Sequence, residues 1–469
     1  MSHSRSVGYQ LPSLPVQPEQ EGLLPRRIPP IPVYLIFWAL HAPLALWAVT
    51  LPQVATLHAL VTLVVGIRLA LAKGRLERTV YAAAYIVGAE VFWRMTEARV
   101  FWEYGKYATG LIFLLAVLRL RPLKIARLLL MYLLLLMPAT VPTLMQLDLN
   151  EARQQISFNL SGHVVLFVVA LFFSNYRLSE EGLQRVLTAL IAPTVAIATV
   201  ALHSVLTSEI VWTPQSNFKA SGGFGPNQVS TALSAGALAA ILLLWLFDLS
   251  VPRQLALGSM ALWFIIQAFL TFSRGGVVAL AVAVAGVTLS MLLSRSRVRR
   301  LRMIATVAIG LLLLFMLVYP ALDRWTQGAL SVRFTDTNLT GRDRIAQASW
   351  QVFMEHPLTG VGVGLAPGYV AEQYGQRAAA HTEFARLVAE HGLIGILALV
   401  MFLGAYLQSQ RKVMRLPLFR HVSVAWLLWS TSYVLGNALR TAAPSFFLGL
   451  AFVGLKLEPD SSVQHKEHL

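Results

Sequence analysis

Hydrophobic runs of roughly eighteen residues alternate with short polar connections from residue 33 to residue 320, and the alternation resumes from 392 to 456. A run of that length crosses ~30 Å of hydrocarbon as a helix. The helix is dictated because lipid offers no partner to bare backbone amides. The pattern predicts an all-α polytopic membrane protein, with spans near 33–50, 53–72, 79–95, 106–120, 124–141, 160–175, 185–206, 227–247, 254–272, 276–293, 301–320, 392–408, 419–437 and 440–456. The weakest are 79–95, which contains Glu90, and the short 106–120. Counting them in or out gives about 12–14 transmembrane helices with the same sidedness. Residues 1–30 and 457–469 show no apolar period and read as flexible tails.

One interval breaks the rhythm. Residues 321–391 are polar between two apolar runs, and two helices are predicted inside them. The first runs from Gly341 to Glu355, with Ile345, Ala348, Val352 and Phe353 on its apolar side. Thr340 is placed to cap it, with Asp343 in the capping-box position. Pro357 and the Gly360-Val361-Gly362-Val363-Gly364 run end it. The second, Ala378 to Glu390, leads into the span at Gly392, with His381 in its first turn.

Charge then orients the chain. Of 469 residues 56% are hydrophobic and 13% charged, and the formal net charge is +16. No basic stripe with interleaved aromatics lies outside the spans, so nucleic acid is not implied. The basic residues fall instead on alternate connections: Arg68, Lys73, Arg75 and Arg78 after the second span, Arg119 to Arg127 after the fourth, Arg295 to Arg302 after the tenth. The positive-inside rule places those connections, and both termini, in the cytoplasm. Lys219, Arg274 and His381 all then face outward. Only the outward connection 94–106, with Arg94, Arg99 and Lys106 offset by Glu97 and Glu103, fits this rule poorly.

Arg274 stands with Ser273 and a glycine pair between two apolar runs. It either snorkels to headgroups or lines a watery cavity, because an arginine at bilayer depth is costly. Residues 217–228 place three glycines, Lys219 and Pro226 before a helix, an amide-rich entry that can receive an anion or serve as a plain turn. Asn227 is positioned to cap the span that follows. A helix N-terminus keeps His381 neutral and able to accept a proton. Arg342 belongs to a solvated face or reaches back to the membrane surface. No metal-ligand or Walker spacing is present, and no cysteine.

The neutral base and two cations on one face suit transfer of a glycan from a polyprenyl diphosphate. The departing diphosphate needs fixed positive charge, and the attacking hydroxyl needs a base. A carrier or flippase for such a lipid is the alternative, with Glu90, His163 and His203 as its ionisable residues inside spans.

Thr271-Phe272-Ser273-Arg274-Gly275-Gly276, then Gly341-Arg342 with Trp350 and His356-Pro357-Leu358-Thr359-Gly360-Val361-Gly362, then His381-Thr382-Glu383 with Glu390-His391-Gly392-Leu393-Ile394-Gly395 resemble the O-antigen ligase and polysaccharide polymerase family. The similarity covers roughly residues 215–400. It implies a bacterial inner-membrane glycosyltransferase with a GT-C-like bundle, inverting and metal-independent, without cofactor. Its donor would be an undecaprenyl diphosphate-linked glycan, its acceptor a glycan or lipid A core, and the large loop would lie on the periplasmic side. By position it makes His381 the base and Arg274 a diphosphate ligand. Lys219 falls where ligases usually have arginine, keeping the charge without the bidentate geometry. His381-Thr382-Glu383, where His-Asn is common, points equally to polymerases.

Overall fold

The computed structural model describes residues 31–74, 76–293, 296–336, 342–374, 382–413, 417–452 and 454–455. His381, Thr340 and both tails lie outside the described residues, as do the side chains of Arg342 and Asp343.

The described chain is helical apart from one two-residue parallel pair, β1 (Arg177–Leu178) with β2 (Gly454–Leu455). The first span is built from α1 (Ile31–Ala39) and α2 (His41–Thr50), with Pro43 in the first turn of the second piece, where a missing N–H costs nothing. Next come α3 (Pro52–Leu71), α4 (Leu76–Met95) and α5 (Tyr104–Val117). Pro138 separates α6 (Arg127–Leu136) from α7 (Thr140–Gln146). The side chain of Asp148 caps α8 (Leu149–Asn175), and that of Ser179 caps α9 (Glu180–Thr207). Then follow α10 (Pro226–Leu246), α11 (Val251–Leu270), α12 (Arg274–Leu292) and α13 (Arg297–Leu313).

A π-turn, Leu314–Val318, carries α13 into α14 (Tyr319–Trp325), whose Pro320 cannot close an ordinary helical hydrogen bond there. The polar interval holds more helix than the sequence suggested. Besides α16 (Arg342–Glu355) it contains α14, α15 (Ala329–Thr335) and α17 (Ala366–Tyr374), pieces too short to show a clear period. The last helices are α18 (Glu383–Val413), α19 (Pro417–Asn437) and α20 (Ala442–Leu450).

Among the described residues ten helical stretches are long and apolar enough to cross a membrane. The expected spans 79–95, 106–120, 419–437 and 440–456 are present as α4, α5, α19 and α20 but fall short in apolarity or length. The reason is visible for α4, which is largely buried and bears Glu90 and Arg94: protein rather than lipid surrounds it. Small residues permit that packing. A Cβ on Gly88 would sit 2.7 Å from Pro193 of α9, and one on Gly236 of α10 would sit 2.3 Å from Thr194.

Polar contacts between connections sort by parity. At one end Arg119 donates to the Ala70 and Ala72 carbonyls, Ser179 to Glu77, and Arg302 to Asp248, whose carboxyl is thereby held below the usual carboxylate range. These join even-numbered connections to one another. At the other end Arg94 reaches Gln228, Arg386 reaches the Asn159 carbonyl, and Ala442 N–H reaches Glu90, joining odd with odd. The chain therefore runs end to end with each apolar segment, as the charge pattern anticipated.

The glycine run of the interval locks onto a kink in α18. Gly392 departs from helical geometry (φ 60°, ψ −145°), so Leu393 and Ile394 lose their ordinary acceptors. Leu393 N–H instead donates to the Pro357 carbonyl at 2.8 Å. The carbonyls freed at Ala389 and Glu390 accept from Val361 and Gly362 at 3.1 Å. A Cβ on Gly392 would lie 2.6 Å from the Pro357 carbonyl oxygen. The two separate glycine motifs are halves of one joint.

Candidate functional site

Consider first the turn that presents Arg274. Phe272 adopts a left-handed φ of 56°, a costly conformation for a bulky side chain, and is fully buried. Its ring stacks on Trp212 at 5.4 Å, and Arg333 of α15 donates Nε to its carbonyl at 2.9 Å. Asn217 N–H donates to the Thr271 carbonyl at 2.9 Å, and Ser230 Oγ to the Ser273 carbonyl at 3.1 Å. Arg274 thus opens α12 from a turn pinned by α10, α15 and the 217–228 segment. Its guanidinium is half-buried and donates to the Asp336 carbonyl.

Gly276 sets how closely α12 meets α10. A Cβ there would fall 2.3 Å from the Ser230 carbonyl carbon and oxygen, backbone that cannot step aside. Gly276→Ala should therefore cost about 1–3 kcal/mol, as overpacking does. A lowered thermal-unfolding midpoint in detergent checks it; an unchanged midpoint would show that the two helices part freely.

Asn227 does not cap its helix. Gly225 holds the N-cap position and Pro226 the first turn, so Asn227 comes two residues late. Its Oδ1 accepts from Ser273 Oγ at 2.5 Å, joining α10 to the Arg274 turn. Lys219 lies on a 3-10 turn, Lys219–Ser221, within that pinned segment. It is exposed, and its Nζ donates to the Glu209 carbonyl at 3.0 Å.

The other half of this end is an ion network whose members the sequence named only separately, Glu383 and Glu390 in a motif and His163 inside a span. Thr382 Oγ1 accepts from Ala385 N–H at 3.0 Å and so caps α18. In the first turn Glu383 Oε1 takes His163 Nε2 at 2.8 Å and also Arg386 Nη2, while its Oε2 accepts from Leu439 N–H at 2.9 Å. Tyr132 OH lies 2.5 Å from His163 Nδ1. With Nε2–H directed at a carboxylate, Nδ1 is the acceptor for the tyrosine hydroxyl. Arg386 continues to Glu390 at 3.3 Å and the Asn159 carbonyl at 3.0 Å. Glu383, Arg386, Glu390 and His163 are all buried.

A second pair stands beside it. Arg94 donates to Glu90 at 2.6 Å, to Gln228 at 2.7 Å and to the Trp102 carbonyl at 3.0 Å, and lies over the Trp102 ring at 4.5 Å. Glu90 Oε2 accepts from Ala442 N–H at 2.7 Å. Two buried carboxylates, Glu383 and Glu90, therefore hold the two ends of the turn between α19 and α20. That turn carries Ala438 with a positive φ of 52° and then Arg440. Arg440 joins Glu383, Arg386, Glu390, Gln155 and Asn159 around a cavity of about 130 Å³.

These contacts also account for the connection that fitted the charge rule poorly. Arg94 is neutralised by Glu90, and Lys106 is buried with Nζ on the Phe158 carbonyl at 3.2 Å, so neither is a free topological charge. Among the carrier residues, Glu90 and His163 belong to different networks. His203 is partly exposed near the end of α9, and its carbonyl accepts from Thr207. The three do not form one set.

An unbroken series of contacts thus runs from Arg274 through Ser273, Asn227, Gln228, Arg94, Glu90 and the 438–441 turn to Glu383. His381, two residues before Glu383 in sequence, and the Arg342 side chain are outside the described residues. Among the described residues no group of three or more metal-ligating side chains is found. Residues 259–400, which include Arg274, Arg342, His381 and the glycine joint, match the family model described as O-antigen ligase. No curated protein matches the chain.

Proposed function

Since this membrane protein carries an O-antigen ligase domain over residues 259–400, we propose that it moves a glycan from undecaprenyl diphosphate to an acceptor sugar hydroxyl, as an O-antigen ligase or a polysaccharide polymerase. His381 takes the acceptor proton as general base. The acceptor oxygen bonds to the anomeric carbon as the bond to the diphosphate oxygen breaks, and attack opposite that bond inverts the centre. Arg274 and Lys219 receive the charge that develops on the leaving diphosphate. Asn227 supports the Arg274 turn through Ser273, and Arg342 assists from the start of α16. The reaction needs no cofactor, and its place is the periplasmic side of a bacterial inner membrane.

The observation that carries this reading is the series of contacts joining the Arg274 turn to the segment that begins at Thr382. A cation for the leaving group and Glu383, two residues after the proposed base in sequence, then share one end of the molecule. The basic connections mark the opposite end as cytoplasmic. The test is made in detergent, where no compartments exist. Purified protein should join purified lipid-linked donor to its acceptor, whereas a carrier would do nothing. Arg274→Ala should slow that transfer roughly 10²-fold, as loss of one charge-stabilising donor does. Arg274→Lys should recover part of it, since the charge returns without the planar fork. Wild-type rates in both variants would remove Arg274 from the reaction.

A further inference from the structure

Beside the polar cavity lies a wider cleft of about 880 Å³ between the 101–107 segment and the start of α8. Nothing in the chemistry assigned so far uses it. We propose that this cleft binds the acceptor saccharide, an inference that rests on the transfer reaction proposed above.

Its lining has the two halves that sugar recognition needs. Phe101, Trp102 and Tyr107 are 56%, 49% and 47% exposed, so their rings are open to a ligand in the cleft. Phe101 and Tyr107 meet edge to face at 5.4 Å, and the Trp102 ring is set by Arg94 over its face. Such rings offer flat apolar surfaces to the C–H faces of a pyranose. Opposite them Arg153, Gln154 and Gln155 supply donors and amide acceptors for hydroxyls.

An aromatic belt at the membrane interface would also expose tryptophan and tyrosine. It would not pair them across a concave space with a run of polar side chains. A lipid chain in the cleft would strip water from those groups without replacing its hydrogen bonds, at a cost of roughly 1–3 kcal/mol for each. The volume is near the top of the ~300–1,000 Å³ range of small-molecule clefts, so a short saccharide fits.

Position decides between donor and acceptor glycan. The cleft shares Gln155 and Phe158 with the cavity bordered by Glu383, Arg386 and Arg440. It therefore opens beside Glu383, two residues after the proposed base in sequence, whereas Arg274 at the start of α12 and Lys219 on the 3-10 turn before α10 are the groups assigned to the donor's diphosphate. The hydroxyl whose proton is removed must arrive on the base's side.

The test uses full-length protein in detergent and, as probe, the oligosaccharide released by mild acid from the host bacterium's own surface glycan. Phe101→Ala and Gln154→Ala should each weaken binding of this probe about tenfold and raise the acceptor KM alike, with donor KM and kcat unchanged. Phe101→Tyr should restore both. Phe101 is the cleaner choice because the Trp102 ring also lies under the Arg94 guanidinium. Unchanged probe binding and acceptor KM in both alanine variants would overturn the inference, and so would a shift confined to the donor KM. His381→Ala separates the two claims: wild-type transfer in that variant would end the proposed reaction, while probe binding would still judge the cleft.

Discussion

Glu383→Ala is expected to destabilise the folded protein by about 3–5 kcal/mol, the cost of removing one partner from a buried ion pair. The carboxylate accepts from three donors, the Arg386 guanidinium, His163 Nε2 and Leu439 N–H. Alanine would leave a buried guanidinium beside an imidazole N–H, both stripped of their carboxylate acceptor. Glu390 offers Arg386 only a longer contact, at 3.3 Å, and cannot reach all the orphaned groups. The unfolding midpoint in detergent should fall steeply for Glu383→Ala and less for Glu383→Gln, whose amide oxygen still accepts. The loss should also reach the turn that bears Arg440, since Leu439 N–H would be released. An unchanged midpoint in the alanine variant would mean that this network does not hold α18 to α8.

Much of the architecture could be read from hydropathy, because lipid imposes a minimum helix length and backbone satisfaction on any apolar run. The grouping of alternate connections at opposite ends was equally legible, since lysine and arginine mark every second one. The exceptions have a common cause. Residues 79–95 and 419–437 lie inside the bundle, where a helix can carry Glu90 or His421 at no expense to lipid contact, so apolarity understates them. Within the site, the motifs around Arg274 and Gly360–Gly364 could be picked out, but not that Val361 and Gly362 of the glycine run satisfy the carbonyls freed by the kink at Gly392, those of Ala389 and Glu390.

The ion network was harder still. Glu383 and Arg386 stand three apart on the helix and Arg386 and Glu390 four apart, spacings that favour pairing. Their partner His163 is 220 residues from Glu383, an isolated histidine in an apolar run that gives no sign of whom it meets. Asn227 illustrates the reverse error. Its type and place suggested a cap, yet Pro226 already occupies the first turn and frees the amide for Ser273.

His381→Ala is expected to reduce glycan transfer by roughly 10²–10⁴-fold, the usual worth of a positioned general base. The variant tests chemistry where Glu383→Ala tests framework, and the two should separate cleanly. In the proposed reaction a base meets only the acceptor hydroxyl, so its removal should leave donor binding, the role proposed for Arg274 and Lys219, within a few-fold of wild type. Glu383→Ala should lower stability and transfer together. Single-turnover transfer with preloaded lipid-linked donor distinguishes these cases, because it reports the chemical step apart from substrate capture. Transfer that persists at the wild-type rate would assign the proton to another group, and Arg274 would then have to act with a base not yet identified. A fall in donor affinity as large as the fall in rate would instead make position 381 a binding residue, and the separation of roles between the two halves of this end would fail.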